Sequence, residues 1–143
     1  MTGRLVVAAA VVVIVATVAW VLERRRRQDA PSQGVPVVPA QLDRADFPDP
    51  AVPWLVVLFT SQACASCAGL PEKAAPLVGP EVAVVEVQYP GQRALHERYS
   101  ISAAPLTVVV DAEGVVRASF LGSFSATDLW NAVAEVRRER PAD

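Results

Sequence analysis

Cysteine and histidine are nearly missing from this chain. It has two Cys, Cys64 and Cys67, and one His, His96, among 143 residues. Two cysteines cannot build a disulfide framework, and a bridge across so short a loop stabilises little in chain-entropy terms. Iron–sulfur ligation needs more cysteines. Zinc wants four ligands, and His96 is remote in sequence from the pair. Covalent haem attachment needs a His directly after the second Cys, but position 68 is Ala. No metal and no bound cofactor is expected. Positive charge is also scarce outside the N-terminus. Residues 1–27 hold five Arg against one Glu, whereas residues 28–143 hold eight basic and fourteen acidic residues. Such an acidic body lacks the basic footprint that nucleic acid requires, which excludes that class of partner. No internal repeat is present.

One thing the chain does have is an uncharged run of eighteen residues, Leu5–Leu22, interrupted only by the hydroxyl of Thr17. As a helix it would reach about 27 Å, close to one hydrocarbon core. Glu23 and Arg24–Arg27 end it. A cleaved signal peptide carries its positive charge before the apolar run, so residues 1–27 read as a retained single-pass membrane anchor. The positive-inside rule then puts the following domain on the cytoplasmic face; the alternative is the extracytoplasmic face, because a long domain translocates regardless of charge.

Residues 28–53 carry six prolines (Pro31, Pro36, Pro39, Pro48, Pro50 and Pro53). That density predicts an extended spacer, with a short edge strand over Val35–Val38 and one helical turn over Leu42–Phe47. Residues 54–143 read as the folded domain. Trp54–Thr60 is an apolar strand. Cys64 to Val78 is helical, bent or broken by Pro71 and Pro76. Val82–Val87 is a second strand, Pro90-Gly91 a turn, and Gln92–Tyr99 a short helix on which His96 is a solvated residue. Leu106–Val110 is a third strand. Asp111–Gly114 has the composition of a hairpin turn, with Val115–Phe120 returning as a fourth strand. Ser125 caps a helix over Ala126–Arg138, where Leu129, Trp130, Val133 and Val136 recur at helical spacing. The order strand–helix–strand, then hairpin and helix, predicts an α/β fold. Its central mixed sheet has about four strands flanked by helices, and the first pair is parallel.

The two cysteines sit in Cys64-Ala65-Ser66-Cys67, between the first strand and the helix that follows. A CxxC at such a junction is a signature of thiol–disulfide redox chemistry. The unpaired N–H groups and partial positive charge of a helix N-terminus favour the thiolate, the reactive form, at Cys64.

This element order, with CxxC after the first strand, resembles the thioredoxin superfamily over roughly residues 54–139. A second matching element is Tyr99-Ser100-Ile101-Ser102-Ala103-Ala104-Pro105-Leu106-Thr107. In the family such a segment ends in a cis-proline that packs against the CxxC, and X-Pro is the linkage where cis is cheap enough to be used. By the resemblance, Cys64 is the attacking thiolate and Cys67 the resolving thiol, with both side chains on one face within bonding reach. Ala104 and Pro105 shape the substrate groove beside them. Several positions depart from the family pattern. The Trp before the first cysteine is Ala63, and the Gly-Pro between the cysteines is Ala65-Ser66. The buried aspartate that assists proton transfer aligns with Leu58, and its lysine companion with Glu86. Glu86 is therefore a candidate for the proton-transfer role, against the plainer reading of a solvated strand-end glutamate.

The resemblance implies a membrane-tethered thiol–disulfide oxidoreductase acting on protein thiols and disulfides, with reduction the expected direction. The rival from another class is a thioredoxin-fold binding or scaffold module without turnover.

Overall fold

The computed structural model describes residues 13–20 and 36–139. The chain divides into two compact units, Met1–Val35 and Pro36–Asp143. In the first, residues 13–20 form helix α1. Its Thr17 hydroxyl donates to the Val13 carbonyl at 2.6 Å, the back-bond that lets a threonine sit inside a helix. The Val13, Ile14, Val15, Val18 and Trp20 side chains are exposed. The rest of the Leu5–Leu22 span, and Arg24–Arg27 after it, lie outside the described residues. Among the described residues no helix is long and apolar enough to cross a membrane.

The second unit is built on strand β1, Trp54–Ser61. Every side chain from Trp54 to Thr60 is buried. A strand covered on both faces should read as a continuous apolar run rather than as an alternation, and Trp54-Leu55-Val56-Val57-Leu58-Phe59 does. On one side β2, Val82–Tyr89, pairs with it in parallel from Trp54↔Val82 to Ser61↔Tyr89. On the other, β3, Leu106–Val110, pairs antiparallel from Leu55↔Val110 to Phe59↔Leu106. Strand β4, Val116–Leu121, closes the order β2-β1-β3-β4, with an irregularity at Val109/Val110. Its half-buried and exposed residues alternate, as an edge strand with one wet face should. This is the four-stranded mixed sheet the sequence predicts.

Helices lie on both faces. Helix α2 is Leu70–Ala74, α3 is Arg93–Arg98 and α4 is Ala126–Glu139. At the start of α4, the Ser125 hydroxyl accepts from the Asp128 N–H at 3.1 Å and the Asp128 carboxylate accepts from the Ser125 N–H at 3.3 Å. The pair is a capping box with Asp as its acidic member. Leu129, Val133 and Val136 of α4, with Leu70 and Ala74 of α2, bury Trp54, Val56 and Leu58. Leu42 and Phe47, with Leu95 and Tyr99 from the α3 region, bury Leu55, Val57, Phe59 and Val108 on the opposite face.

Several expectations change. The helix predicted from Cys64 to Val78 is divided into a 3₁₀ turn at Ala65–Cys67, α2, and a second 3₁₀ turn at Ala75–Leu77. Gly69, at φ 77°, makes the break, a left-handed conformation that glycine adopts without steric cost. Pro71, expected to interrupt a helix, instead lies in the first turn of α2, where its missing N–H costs nothing. The spacer predicted over residues 28–53 does not extend to Pro53, because residues from Pro36 onward belong to the folded unit. Leu42 and Phe47 are core residues, and Arg44–Asp46 forms the expected single turn. Of the edge strand expected at Val35–Val38, Val35 lies outside the described residues and residues 36–38 form no strand; one bridge, Gln41↔Val115, lies just beyond. Gly114, at φ 84°, permits that approach, since a Cβ there would lie 2.0 Å from the Leu42 carbonyl oxygen. Finally, His96 is buried, not solvated. Its Nε2 lies 3.0 Å from the Val87 carbonyl, and its ring meets Phe59 and Tyr89 edge-on at 5.4 and 5.6 Å.

Candidate active site

Strand β1 stops at Ser61, and the chain turns at once. The Ser61 hydroxyl accepts from the Ala63 N–H at 3.3 Å, and the Ser61 carbonyl accepts from the Cys64 N–H at 3.0 Å. Cys64 keeps an extended backbone and caps the 3₁₀ turn, and its carbonyl receives the Cys67 N–H at 3.2 Å. The two cysteines are joined as a disulfide, with Cα atoms 5.4 Å apart. Their surroundings differ. Cys67 is buried at 6% exposure, whereas Cys64 is half-buried. Cys64 is the more accessible of the two residues to an incoming molecule.

The loop before β3 supplies the facing wall. The Ala104–Pro105 peptide is cis, and the Ala104 carbonyl oxygen lies 3.6 Å from Cys64 Sγ. The Pro105 carbonyl in turn accepts from the Gly122 N–H at 2.8 Å, which ties the turn after β4 to this loop. Cys64, Ala104 and Pro105 are thus brought together.

Glu86 reaches the site from β2. It lies across from Leu58 in the β1–β2 register, and its Oε1 accepts from the Thr60 hydroxyl at 2.7 Å. Thr60 is buried and lies two residues beyond Leu58, on the same face of β1. A cleft of about 250 Å³ is lined by Cys64, Cys67, Thr60, Glu72, Glu86 and Gln88, among others. Leu58 itself is buried and brings no titratable group.

Two hydroxyls near the site were not picked out from the sequence. Thr60 ends an apolar strand, and its polarity at a buried position was the available signal. Ser66 lies inside the motif, and its Oγ is 3.3 Å from Cys64 Sγ. A larger cleft, of about 610 Å³, is lined by Trp54, Glu81 and Arg137 among others. It contains none of the predicted site residues and no thiol, and the Arg137–Glu81 ion pair lies in it. The chemistry therefore points to the smaller cleft. Among the described residues no group of three or more His, Cys, Asp or Glu is arranged to hold a metal ion.

No protein-family model and no curated protein matches this chain. Solved structures do match. The chain is similar to thioredoxin from Fasciola hepatica, with 26% identity, 59% of this chain and 81% of that one covered, and a TM-score of 0.51. It is similar to Deadhead, the germline-specific thioredoxin of Drosophila melanogaster, with 21% identity, coverage of 61% and 84%, and a TM-score of 0.51. It is also similar to thioredoxin-2 of the malaria parasite, described as a component of protein secretion machinery, with 16% identity, coverage of 58% and 82%, and a TM-score of 0.53. At such identities the likeness is one of fold. The four-stranded order, the disulfide after β1, the cis-proline before β3 and matches that are consistently thioredoxin structures together give this chain a thioredoxin-like fold.

Proposed function

We propose that this protein is a thiol–disulfide oxidoreductase that exchanges disulfides with protein partners through Cys64 and Cys67. One observation carries the reading: a half-buried sulfur at the cis-proline loop is bonded to a buried one. In the reduced protein the Cys64 thiolate attacks one sulfur of a partner disulfide. A mixed disulfide forms and the other partner sulfur leaves as a thiolate. Cys67 then attacks Cys64 Sγ, the mixed disulfide breaks, and the second partner sulfur departs as the Cys64–Cys67 bond closes. The partner gains two electrons and the protein loses two. Glu86 takes the Cys67 proton in that second step. Support for this assignment comes from its place in the cleft beside Cys67 and from the Thr60 hydroxyl that orients its carboxylate. Neither step requires a bound cofactor. Reduction of partner disulfides is the direction we assign.

Residues 1–27 act as a membrane anchor in this reading. The uncharged Leu5–Leu22 run and the exposed apolar side chains of α1 support it. The arginines favour a cytoplasmic domain. Labelling Cys64 with an impermeant thiol reagent from each side of sealed vesicles tests the sidedness, and protection from the outside is the expected result.

The central test is Cys64→Ser in an insulin-reduction assay. We expect activity to fall to the uncatalysed background, with Cys67→Ser instead accumulating a mixed disulfide. Undiminished turnover in Cys64→Ser would remove the nucleophile. Reduced cysteines that resist alkylation would leave a thioredoxin-fold binding module.

A further inference from the structure

The helix start invoked to ionise Cys64 amounts to very little here. The turn it caps is Ala65–Cys67, which ends at Ala68, and α2 begins only at Leu70 and stops at Ala74. A macrodipole needs many aligned peptides. The charged groups lining the cleft with Cys64 are Glu72 from α2 and Glu86 from β2, and both repel a thiolate. From the proline loop comes the Ala104 carbonyl oxygen, an acceptor that favours the protonated thiol over the anion. The nearest cation on α2, Lys73, donates to the Phe124 carbonyl at 2.9 Å. Ser66 Oγ, 3.3 Å from Cys64 Sγ, is a hydroxyl that can turn its proton toward the sulfur.

We propose that the Ser66 hydroxyl donates to the Cys64 thiolate released on reduction, and so stabilises the dithiol state relative to the disulfide. The donor matters little while the disulfide is closed, because a bonded sulfur is a weak, neutral acceptor. It matters once the sulfur is an anion, since hydrogen bonds to ionised acceptors are roughly twice as strong as neutral ones. In reduction by two glutathione molecules, the Cys64–Cys67 bond breaks and glutathione disulfide forms. Cys67 is left as a thiol and Cys64 as a thiolate, with one proton released to water. Ser66 acts only on the product side of that balance. It makes the pair a weaker reductant than the same site without the hydroxyl, and it raises the fraction of the attacking sulfur that is thiolate.

This inference rests on the thiol–disulfide reading, but it can be tested without a protein substrate. The 143-residue chain is equilibrated against glutathione redox buffers, and the rate of Cys64 alkylation is followed against pH. Ser66 is exposed, so its substitution spares the core. For Ser66→Ala we expect the equilibrium to move about tenfold toward the disulfide, which is about 30 mV more reducing for a two-electron couple. The alkylation midpoint should rise by about one pH unit. Ser66→Thr, which keeps the hydroxyl, should return both values to within about threefold of the parent. The proposal is overturned if Ser66→Ala lies within about twofold of the parent in both measurements, or if Ser66→Thr shifts as far as Ser66→Ala. Failure of the oxidoreductase reading looks different, because it appears as absent insulin turnover in the parent chain whatever the glutathione equilibrium shows.

Discussion

The two faces of the sheet are covered by opposite means. One is closed by α4, whose Leu129, Val133 and Val136 fall at helical spacing and meet Trp54, Val56 and Leu58. Backbone hydrogen bonds there are satisfied inside the helix, and the side chains it buries against the sheet are apolar. The other is closed in part by a stretch between Pro36 and Pro53 with one three-residue 3₁₀ turn, from which Leu42 and Phe47 enter the core. A cover without a helix must bond its backbone elsewhere; the Leu42 N–H and the Ala40 carbonyl pair with the backbone of Gly114 and Val116, and side chains do part of the rest. Arg44 is buried and forks across the Asp111 carbonyl at 2.8 Å and the Val52 carbonyl at 2.7 Å. Burial pushes its guanidinium below the ordinary arginine value, while the charge of Asp111 opposes that shift. The Tyr99 hydroxyl receives the Asp43 N–H at 3.0 Å and donates to the Asp46 carboxylate, and Arg98 bridges to the same two acids at 3.2 and 2.9 Å. Proline density reports the absence of regular structure. It does not report exposure.

If the comparison holds, the irregular cover is as much a part of the core as α4. Truncating one anchor on each face tests this. Phe47→Ala and Leu129→Ala should each cost about 3 kcal/mol in urea unfolding, because each leaves a cavity where a buried side chain packed. Neither should change the denaturant slope. A Phe47→Ala cost below about 1 kcal/mol would show the stretch to be a spacer resting on an already complete domain.

That contrast also marks what could be read from the sequence. Strands β1 and β3 were legible as apolar runs, and α4 as a period with a Ser125 cap, because burial there follows a repeating pattern. The packing of Leu42 and Phe47 follows no period, so the same alphabet of residues carried no signal. His96 was misread for a related reason. A single imidazole on a six-residue helix has no pattern to place it, and only the fold shows Phe59 and Tyr89 closing over it. At the site, the spacing of Cys64 and Cys67 and the position of Pro105 were legible, since a short loop and a proline constrain geometry strongly. The contacts of Ser66 and Thr60 were not, because they depend on how the chain turns at Ala63 and on which strand lies beside β1. The αL break falls at Gly69 and not at Pro71, because glycine is the residue that tolerates a positive φ.

The next test removes the bonds rather than the apolar anchors of the irregular cover. Arg44→Met keeps the length of the side chain and loses its contacts to the Asp111, Val52 and Asp49 carbonyls. We expect a cost of about 2 kcal/mol, the scale of a hydrogen bond to a charged group. Arg44→Lys should recover only part of that loss, because one ammonium lacks the planar fork that spans two separate carbonyls. Full recovery by Lys would mean that charge near Asp111 matters and the fork does not.

The smallest effect is the most discriminating, because it puts a pH signature on one face alone. Burial, and then the bond to the Asp46 carboxylate, raise the Tyr99 hydroxyl above its ordinary value of 10.0, against smaller opposing effects of the Asp43 N–H and Arg98. The folded protein therefore holds the Tyr99 proton more tightly than the unfolded chain does. Its stabilising contribution is complete below pH 10 and is lost as pH rises from there through the folded value. Tyr99→Phe should cost about 1 kcal/mol near pH 8, the usual net value of a hydrogen bond. That gap from the parent should narrow by about pH 11. The gap between parent and Leu129→Ala, measured in the same series, should stay constant with pH, because no titrating group takes part in the contact it removes. If the Tyr99→Phe gap were equally flat, the hydroxyl would not be bonded to Asp46 in solution, and the irregular cover would be held by apolar packing just as α4 is.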